Sequence, residues 1–450
     1  MLAIGGCIGT GLFIASGSVL SNGGPAGALL SYIIMGIAVY FIMNALGELA
    51  AYMPIEGSFS AYMTRFVDPA AGFAIGWNYW LSYVLMVSSE LLSVGMVPGA
   101  VWSIVCLVVL FAVNSWSVRS YGEIEYWAAM VKVVAVLAFI ILGIVIDAGG
   151  LGGHRYGFEN WHIKGALVFT IFSFLGTEML GISAAESKNP RKDIPRAIST
   201  VFFRILVFYV GSILVIGMII PYDDRNLLNA HSGQGRGHIA RAGLGPAEHV
   251  VNAVILTTVV SAGNSGLYAC TRMLHAMAMA GTAPRLFSRC TKRGVPIYAL
   301  VFVLVIAMAL FGISFIGNQK VFSYILNIST LMGLITWLSI LLAHVRFRLA
   351  LKRQGYSTAR LPFRDWTFPF GTAYAACAIM VPMAGTGWAQ TQGHFDVPGF
   401  ITTYLGPVIA CVMYCFWKWY KKTRILDLAE IDLISGSVED SNYLSSHHVD

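Results

Sequence analysis

Apolar residues dominate the chain in long runs, and short polar or basic segments separate one run from the next. A helix that crosses a bilayer needs about 20 consecutive, mostly apolar residues, and the runs reach that length repeatedly. The pattern predicts an all-α integral membrane protein with about twelve spans. We place these spans at about 2–20, 26–47, 72–96, 98–113, 126–147, 165–186, 200–220, 248–279, 297–316, 321–345, 368–388 and 400–417. The third and fourth spans nearly fuse, so eleven spans is the alternative.

Composition and charge agree with a membrane protein. Hydrophobic residues make up 57% of the chain and charged residues only 11%, against about 25% charged residues in soluble proteins. The net charge of +7 does not indicate nucleic-acid binding, because most Lys and Arg residues fall in loops that are cytoplasmic when the N-terminus is inside. This bias predicts a multi-pass protein with both termini in the cytoplasm, and the long acidic tail containing LISG (433–436) favours the plasma membrane. The seven cysteines form no CxxC motif or Cys/His cluster, so no disulfide framework or metal site is indicated.

Two of the predicted spans carry helix-breaking residues at membrane depth. Gly5, Gly6, Gly9 and Gly11 interrupt the first span, and each glycine costs a helix about 1 kcal/mol relative to alanine. The sixth span contains a Gly-Thr-Glu sequence at 176–178. Broken spans at corresponding positions are typical of transporters built from two halves of opposite orientation, with the substrate site at their interface. Close helix packing through small residues is the alternative for the glycines of the first span.

Three charged residues lie inside apolar runs, where they need a partner or a function. Glu90, the deepest charge of the third span, is a candidate counter-charge for a cationic substrate, and a helix–helix hydrogen bond is the alternative. Glu178 is a candidate partner of a substrate amine or a proton-linked acid, and a structural salt bridge is the alternative. Lys132 is a candidate proton-coupling group, and snorkelling to the headgroups is the alternative.

Nine stretches of the chain, in order over nearly its full length, resemble the amino acid permeases of the amino acid–polyamine–organocation superfamily, in the branch shared by fungal permeases and bacterial lysine permeases. They are GTGLF (9–13), GPAGAL (24–29), GELA (47–50), GWNYW (76–80), YGEIEYW (121–127), GTE (176–178), NPRKDIPRA (189–197), SAGNS (261–265) and HVRFR (344–348).

The resemblance implies a five-plus-five inverted repeat with broken helices 1 and 6 plus two added helices. The transmembrane domain would cover 1–417, with repeat one at about 1–147, repeat two at about 165–345 and the added helices at 368–417; a cytoplasmic tail would follow at 418–450. The tail is acidic and polar from Leu426 onward, and we expect it to be mobile.

The implied activity is proton-coupled uptake of amino acids, with no cofactor besides the coupling proton. Backbone groups at Gly9, Thr10 and Gly11 would receive the substrate carboxylate at a half-helix start, where free N–H groups and the helix dipole favour an anion. Cationic amino acids such as lysine and arginine are the expected substrates, and a broad or neutral specificity is the alternative. An enzyme has little support, since the sequence has no HExxH motif, metal cluster or intramembrane Ser-His-Asp set.

The resemblance also assigns roles to residues of the second repeat. The substrate ammonium and an aromatic gate would be served by Phe174, Leu175, Gly176 and Thr177, with Glu178 beside them. By their positions in the family, Asn264 and Ser265 would line the site. Proton coupling would involve Lys132, Glu178 and Glu186; the alternative for Glu186 is a cap of the loop that follows it.

Three departures from the family pattern leave a second hypothesis open. The chain starts at its first span, the outer end of span three looks shortened, and the Gly-, Arg- and His-rich stretch 231–246 has no counterpart. A truncated or mis-spliced gene model would explain all three. The product would then be a non-transporting amino acid receptor or an inactive permease.

Overall fold

The computed structural model describes residues 9, 11–12, 16–95, 100–116, 118–150, 157–158, 161, 167–187, 189–220, 245–314, 319–391 and 397–437, and contains helices but no β-strand among them. In chain order the helices are α1 (Ser16–Tyr52), α2 (Ser58–Phe66), α3 (Pro69–Gly95), α4 (Ala100–Trp116), α5 (Val118–Asp147), α6 (Leu167–Phe174), α7 (Met179–Ala184), α8 (Pro190–Arg204), α9 (Ser212–Ile219), α10 (Gly245–Met279), α11 (Ile297–Ser314), α12 (Gln319–Arg353), α13 (Phe370–Thr391) and α14 (Val397–Lys421). A π-helical segment, Ile205–Gly211, joins α8 to α9.

Within the described part of the chain, six helices are long and apolar enough to cross a membrane, and shorter apolar helices lie between them. The sixth predicted span is divided into α6 and α7. The predicted fold class, an all-α membrane protein with a broken sixth helix, is confirmed. The stretch 231–246 lies outside the described residues except for its last two, Gly245 and Pro246, which begin α10.

Several helices differ from their predicted bounds. The end of span one and the whole of span two form α1, which turns at Gly24 (φ +67°) just before Pro25; the left-handed region suits glycine. Helix α5 begins at Val118 rather than at 126. The prediction from hydropathy left out the first turns of α5 because they are polar, whereas a helix can extend beyond its apolar run when its residues pack against neighbouring helices. Lys132 therefore lies about four turns into α5, deeper than the sequence indicated.

Helix α3 is the central packing element of the described structure. It contacts α2, α10, α11, α12 and α14. Helices α3 and α10 are the third and eighth predicted spans, which hold equivalent positions in the two predicted halves. Their contact brings side chains of both halves to one place near the broken helices.

The expectation of a mobile tail is wrong for residues 426–437. We call 422–437 the docked tail. Tyr52 Oη donates a hydrogen bond to the Leu433 carbonyl at 2.9 Å, and Gln354 Nε2 donates to the Ile431 carbonyl at 2.8 Å. Ile431 and Leu433 are buried. Apolar residues alternate with the acidic ones in this tail, and their burial against the membrane domain stabilises the docked position.

Asp68 connects the docked tail to the start of α3. Its carboxylate accepts hydrogen bonds from Lys418 Nζ at 2.5 Å, from Thr423 Oγ1 at 2.7 Å and from the Ala70 N–H at 2.8 Å. Burial alone would raise the pKa of the Asp68 carboxyl, but these hydrogen bonds and the Lys418 charge outweigh it and hold the pKa below its usual value.

Candidate functional site

The sixth span loses its helical conformation between Phe174 and Met179. Gly176 lies in the middle of this break with φ +103°, a conformation that side-chain-bearing residues rarely adopt. The break leaves carbonyls at the end of α6 and N–H groups at the start of α7 without helical partners. Such groups at membrane depth can bind the charged ends of a substrate.

Gly11, from the first broken span, lies directly against the second. A Cβ atom at residue 11 would be 2.5 Å from Ser173 Cα and 3.0 Å from the Phe172 carbonyl oxygen. Ser173 Oγ donates a hydrogen bond to the Gly11 carbonyl at 2.7 Å, and Tyr32 Oη is 2.7 Å from the same Ser173 Oγ. The two broken spans are thus in backbone contact, as two halves that share one site require.

Gly9 lies against α3 and α10. A Cβ atom there would be 2.8 Å from Ala262 Cβ and 3.1 Å from Glu90 Oε1. Glu90 is 1% exposed, so its carboxylate is held inside the protein next to the first break. Thr10, the third residue of the predicted carboxylate site, lies outside the described residues.

Phe174 and Leu175 are both buried beside the break. The Phe174 ring stacks on Tyr209 at 4.6 Å between centroids and lies 5.6 Å from the Tyr32 ring. Leu175 packs against Gly333 of α12, where a Cβ atom would come within 2.4 Å of Leu175 Cδ2. These contacts fix the chain on both sides of the unwound carbonyls. The role of Phe174 as a gate stays a prediction.

Glu178 is buried at the start of α7 with both carboxylate oxygens hydrogen bonded. Tyr83 Oη donates to Oε1 at 2.7 Å, Trp337 Nε1 donates to Oε2 at 3.0 Å, and the Gly176 N–H donates to Oε2 at 3.2 Å. Thr177 Oγ1 donates to the Phe174 carbonyl at 3.1 Å. These donors to Glu178 are neutral, and they connect the break to α3 and α12.

Asn264 lies in a second polar cluster, between α4, α5 and α10. Its Nδ2 donates to Glu125 Oε2 at 3.0 Å, and its Oδ1 accepts from Asn114 Nδ2 at 2.7 Å. Ser261 Oγ donates to Glu125 Oε1 at 2.6 Å. Sequence reasoning did not single out Glu125, because it placed the start of the fifth span one residue later. Its place in the YGEIEYW stretch, which resembles the family, could have marked it as a candidate.

Ser265 lies on α10 and Glu186 follows the end of α7. Ser265 is fully buried and lies close to the Tyr121 hydroxyl. Glu186 accepts a hydrogen bond from Tyr268 Oη and forms an ion pair with Arg272 Nε at 2.9 Å. Its side chain is 33% exposed, so it reaches the surface at the end of α7.

Lys132 is fully buried on α5. Snorkelling requires the ammonium to reach the headgroup region, so the burial of Lys132 argues against that alternative. Its role in proton coupling stays a prediction. Within the described residues, no group of three or more His, Cys, Asp or Glu side chains could hold a metal ion.

Comparison with a solved structure gives the fold. The chain is similar to a mutant of the Eremococcus coleocola manganese transporter with a TM-score of 0.60 and 12% sequence identity, over 93% of this chain and 92% of that one. At this identity the similarity shows a shared transporter fold and carries no information on the substrate.

Comparisons of sequence are more specific. The pattern of the amino acid permease family matches residues 1–430. The chain is 42% identical over 458 residues to the lysine-specific permease LysP of Escherichia coli, with 96% of this chain and 94% of that protein covered. It is 38% identical over 467 residues to the histidine permease HisP of Lactococcus lactis, with 96% of each covered. The chain therefore belongs to the amino acid permease family, and it is a multi-pass membrane transporter of amino acids rather than an enzyme.

Proposed function

We propose that this permease imports cationic amino acids, above all lysine and arginine, together with protons. The observation that carries the proposal is the buried Glu90 carboxylate next to the Gly9 backbone in the first broken span. A substrate whose carboxylate binds the backbone of this break would bring a cationic side chain within reach of a negative charge on α3. In a low-dielectric site such a charge pair gives strong discrimination against neutral side chains.

The common parts of an amino acid would be bound by the two breaks together. N–H groups near Gly9 and Gly11 favour the substrate carboxylate, and carbonyls of the segment 174–177 favour its ammonium. The direct contact between Gly11 and Ser173 supports this arrangement, because both ends of one small molecule must be reached at the same time. Thr10 is assigned to the same carboxylate site from its position in the sequence.

Cationic specificity is further supported by the similarity to a lysine-specific permease. HisP, a histidine permease, is similar to nearly the same degree, so relatives with the same fold transport amino acids with different side chains. The pocket around Glu90 would then decide between lysine, histidine and neutral amino acids. A broad or neutral specificity is the competing proposal.

Proton coupling is supported by the burial of Lys132 on α5. An ionisable side chain buried inside a membrane span usually marks a proton or substrate pathway. The proton would be the coupling ion, with no bound cofactor. The excess of basic residues in alternate loops supports cytoplasmic termini, and the acidic tail is the ground for proposing the plasma membrane.

Uptake of labelled lysine, arginine and leucine into a permease-deficient host tests the proposal. We expect uphill accumulation of lysine and arginine that an uncoupler abolishes, and little uptake of leucine. Glu90→Gln should lower lysine uptake by roughly 30-fold, since losing one partner of a buried charge pair costs about 2 kcal/mol or more. Uptake of leucine with lysine ignored would refute the cationic specificity. Binding of lysine without accumulation would favour the receptor.

A further inference from the structure

Helices α5 and α10 face each other with polar side chains along several turns. We call this contact the α5–α10 seam. Hydrogen bonds or ring stacking across it involve Tyr121 and Glu125 on α5 and Ser261, Asn264 and Tyr268 on α10. Lys132 continues the same face of α5 two turns after Glu125, and Arg272 that of α10 one turn after Tyr268. Apolar side chains could pack at these positions instead. Ionisable residues inside a membrane protein usually mark a proton or substrate pathway.

Glu125 is the residue of the seam that no role described so far explains. It is fully buried, and its described donors, Ser261 Oγ and Asn264 Nδ2, are neutral. Two apolar side chains would hold α5 and α10 together without the cost of burying a carboxylate. Glu125 is also on the same helix as the proposed coupling residue Lys132, seven positions before it.

Residues seven apart on a helix lie on the same face, two turns or about 10 Å from each other. Glu125 and Lys132 therefore share the face of α5 that α10 covers, and both are fully buried. A helical side chain leans toward the N-terminus of its helix, which for Lys132 is the direction of Glu125. One helix thus carries a base and an acid in line toward one end of the molecule.

The seam continues from Glu125 to the surface. Tyr121 lies one turn before Glu125, and its ring stacks on Tyr268 at 4.4 Å between centroids and 6° between planes. Tyr268 Oη donates to Glu186, whose side chain is 33% exposed. The stacked tyrosines and Glu186 therefore lie between Glu125 and the surface.

A small cavity lies beside these hydroxyls. It has a volume of about 20 Å³ and is lined by Asn114, Tyr121, Tyr268, Thr271 and Arg272 among others. Thr271 Oγ1 is buried and has no hydrogen-bond partner among the described residues. The wall of the cavity is mostly apolar, but its volume is sufficient for one water molecule, which Thr271 would bind next to the tyrosine pair.

We propose that Glu125 is a second proton-carrying group of the transport cycle, which passes protons between Lys132 and Glu186. The proposal rests on proton coupling, as proposed above. In the release step the Lys132 ammonium gives one proton to the Glu125 carboxylate, leaving a neutral amine and a carboxylic acid. Glu125 then gives that proton to the Tyr121 hydroxyl, which passes its own proton to the cavity water, so that Glu125 returns to a carboxylate and Tyr121 stays neutral. The water passes a proton to Glu186 and on to the solvent.

The charged and titratable groups around Glu125 are consistent with this order of proton transfer. Helix α5 contributes Lys132 and Tyr121, and α10 contributes Tyr268 and Arg272. Glu186 comes from the end of α7, and Glu90, which packs on Gly263, comes from α3. Helix α4 contributes the neutral Asn114. Glu186, paired with Arg272, is the ionisable group of the set nearest the solvent.

Purified transporter in liposomes tests the proposal, with lysine exchange and lysine-driven proton influx measured on the same preparation. We expect Glu125→Gln to keep exchange within about threefold of the wild type and to lose proton influx by at least about tenfold, because the amide cannot carry the proton. Glu125→Asp should restore proton influx with an altered pH profile. Glu123→Gln removes a carboxylate from the exposed side of α5 and should leave both rates unchanged.

Three results would overturn the relay. Glu125→Gln could move protons with lysine as the wild type does. It could lose exchange and proton influx alike, with a lower melting temperature and no rescue by aspartate, which is the result for a purely structural residue. If the wild type itself exchanges lysine without proton influx, proton coupling fails and the relay fails with it. That last result appears in the wild type, so the two failures are distinguishable.

Discussion

The contact between the two broken spans can be tested by adding single methyl groups at glycines around the site. Gly11→Ala is the strongest case, because the new Cβ would be 2.5 Å from Ser173 Cα and 3.0 Å from the Phe172 carbonyl oxygen. Both neighbours are backbone atoms and cannot rotate away. Gly263→Ala on α10 is the matched control, since its Cβ would meet Glu90 Cβ at 3.6 Å, an ordinary contact.

The size of the effect follows from the distances. Carbon atoms pack best at about 3.5–4.0 Å, so an alanine at residue 11 must separate the two breaks by about 1 Å. Overpacking of this kind costs about 1–3 kcal/mol, which corresponds to about 5- to 150-fold in binding. Gly9→Ala should have a smaller effect than Gly11→Ala, because its nearest neighbours are side-chain atoms of Ala262 and Glu90.

Lysine uptake, membrane abundance and the shift in melting temperature caused by lysine would be measured for all three variants. We expect lysine uptake to be highest in Gly263→Ala, intermediate in Gly9→Ala and lowest in Gly11→Ala, with all three variants present in the membrane. Uptake by Gly11→Ala equal to that of the wild type would refute the backbone contact between the broken spans. Equal losses in all three variants would refute the use of these distances to rank them.

Further predictions concern coupling, the second break and the docked tail. Lys132→Met should stop uphill, proton-driven accumulation while lysine exchange persists, measured with and without an imposed pH gradient; unchanged accumulation would return Lys132 to a structural role. Trp337→Phe removes a donor to Glu178 and should lower stability by about 1.5–3 kcal/mol more than Trp80→Phe, which removes a buried indole whose Nε1 has no hydrogen-bond partner among the described residues; thermal unfolding in detergent compares them. Because the pKa of Asp68 is lowered in the docked state, docking should be constant above about pH 4 and weaken as the pH falls through that pKa. Asp68→Asn should release the docked tail at neutral pH; hydrogen exchange of the tail measures both effects, and unchanged protection would refute the anchor.

Local composition was enough to predict the broken spans and the class of fold. Glycines inside apolar runs and a Gly-Thr-Glu sequence disfavour a continuous helix wherever they occur, so the break at 175–178 could be placed from the sequence. The burial of Glu90 and Lys132 follows from their positions in apolar runs.

The partners of these residues could not be predicted in the same way. Tyr83 and Trp337 reach Glu178 from α3 and α12, and such pairings depend on how distant helices pack. Glu125 was missed because hydropathy marks where apolar residues begin, and α5 begins two turns earlier. The tail was misjudged because Ile431 and Leu433 are too few to stand out among acidic neighbours, although they are buried against the membrane domain.

The two buried carboxylates near the breaks should differ in what they control. Each of the three donors to Glu178 contributes a hydrogen bond to a charged group, worth about 1.5–3 kcal/mol, so a substrate ammonium would have to displace them to bind there. Glu178 is therefore better suited to fix the unwound segment, whose carbonyls would bind the ammonium of any amino acid. Glu90 lies instead on α3, outside the segment that would bind the ammonium, and is the proposed counter-charge of a cationic substrate side chain. We expect Glu178→Gln to lower uptake of every substrate by the same factor, and Glu90→Gln to lower uptake of lysine and arginine while sparing smaller neutral amino acids. Competition of each amino acid against labelled lysine measures these ratios, and a selective loss of cationic substrates in Glu178→Gln would reverse the assignment.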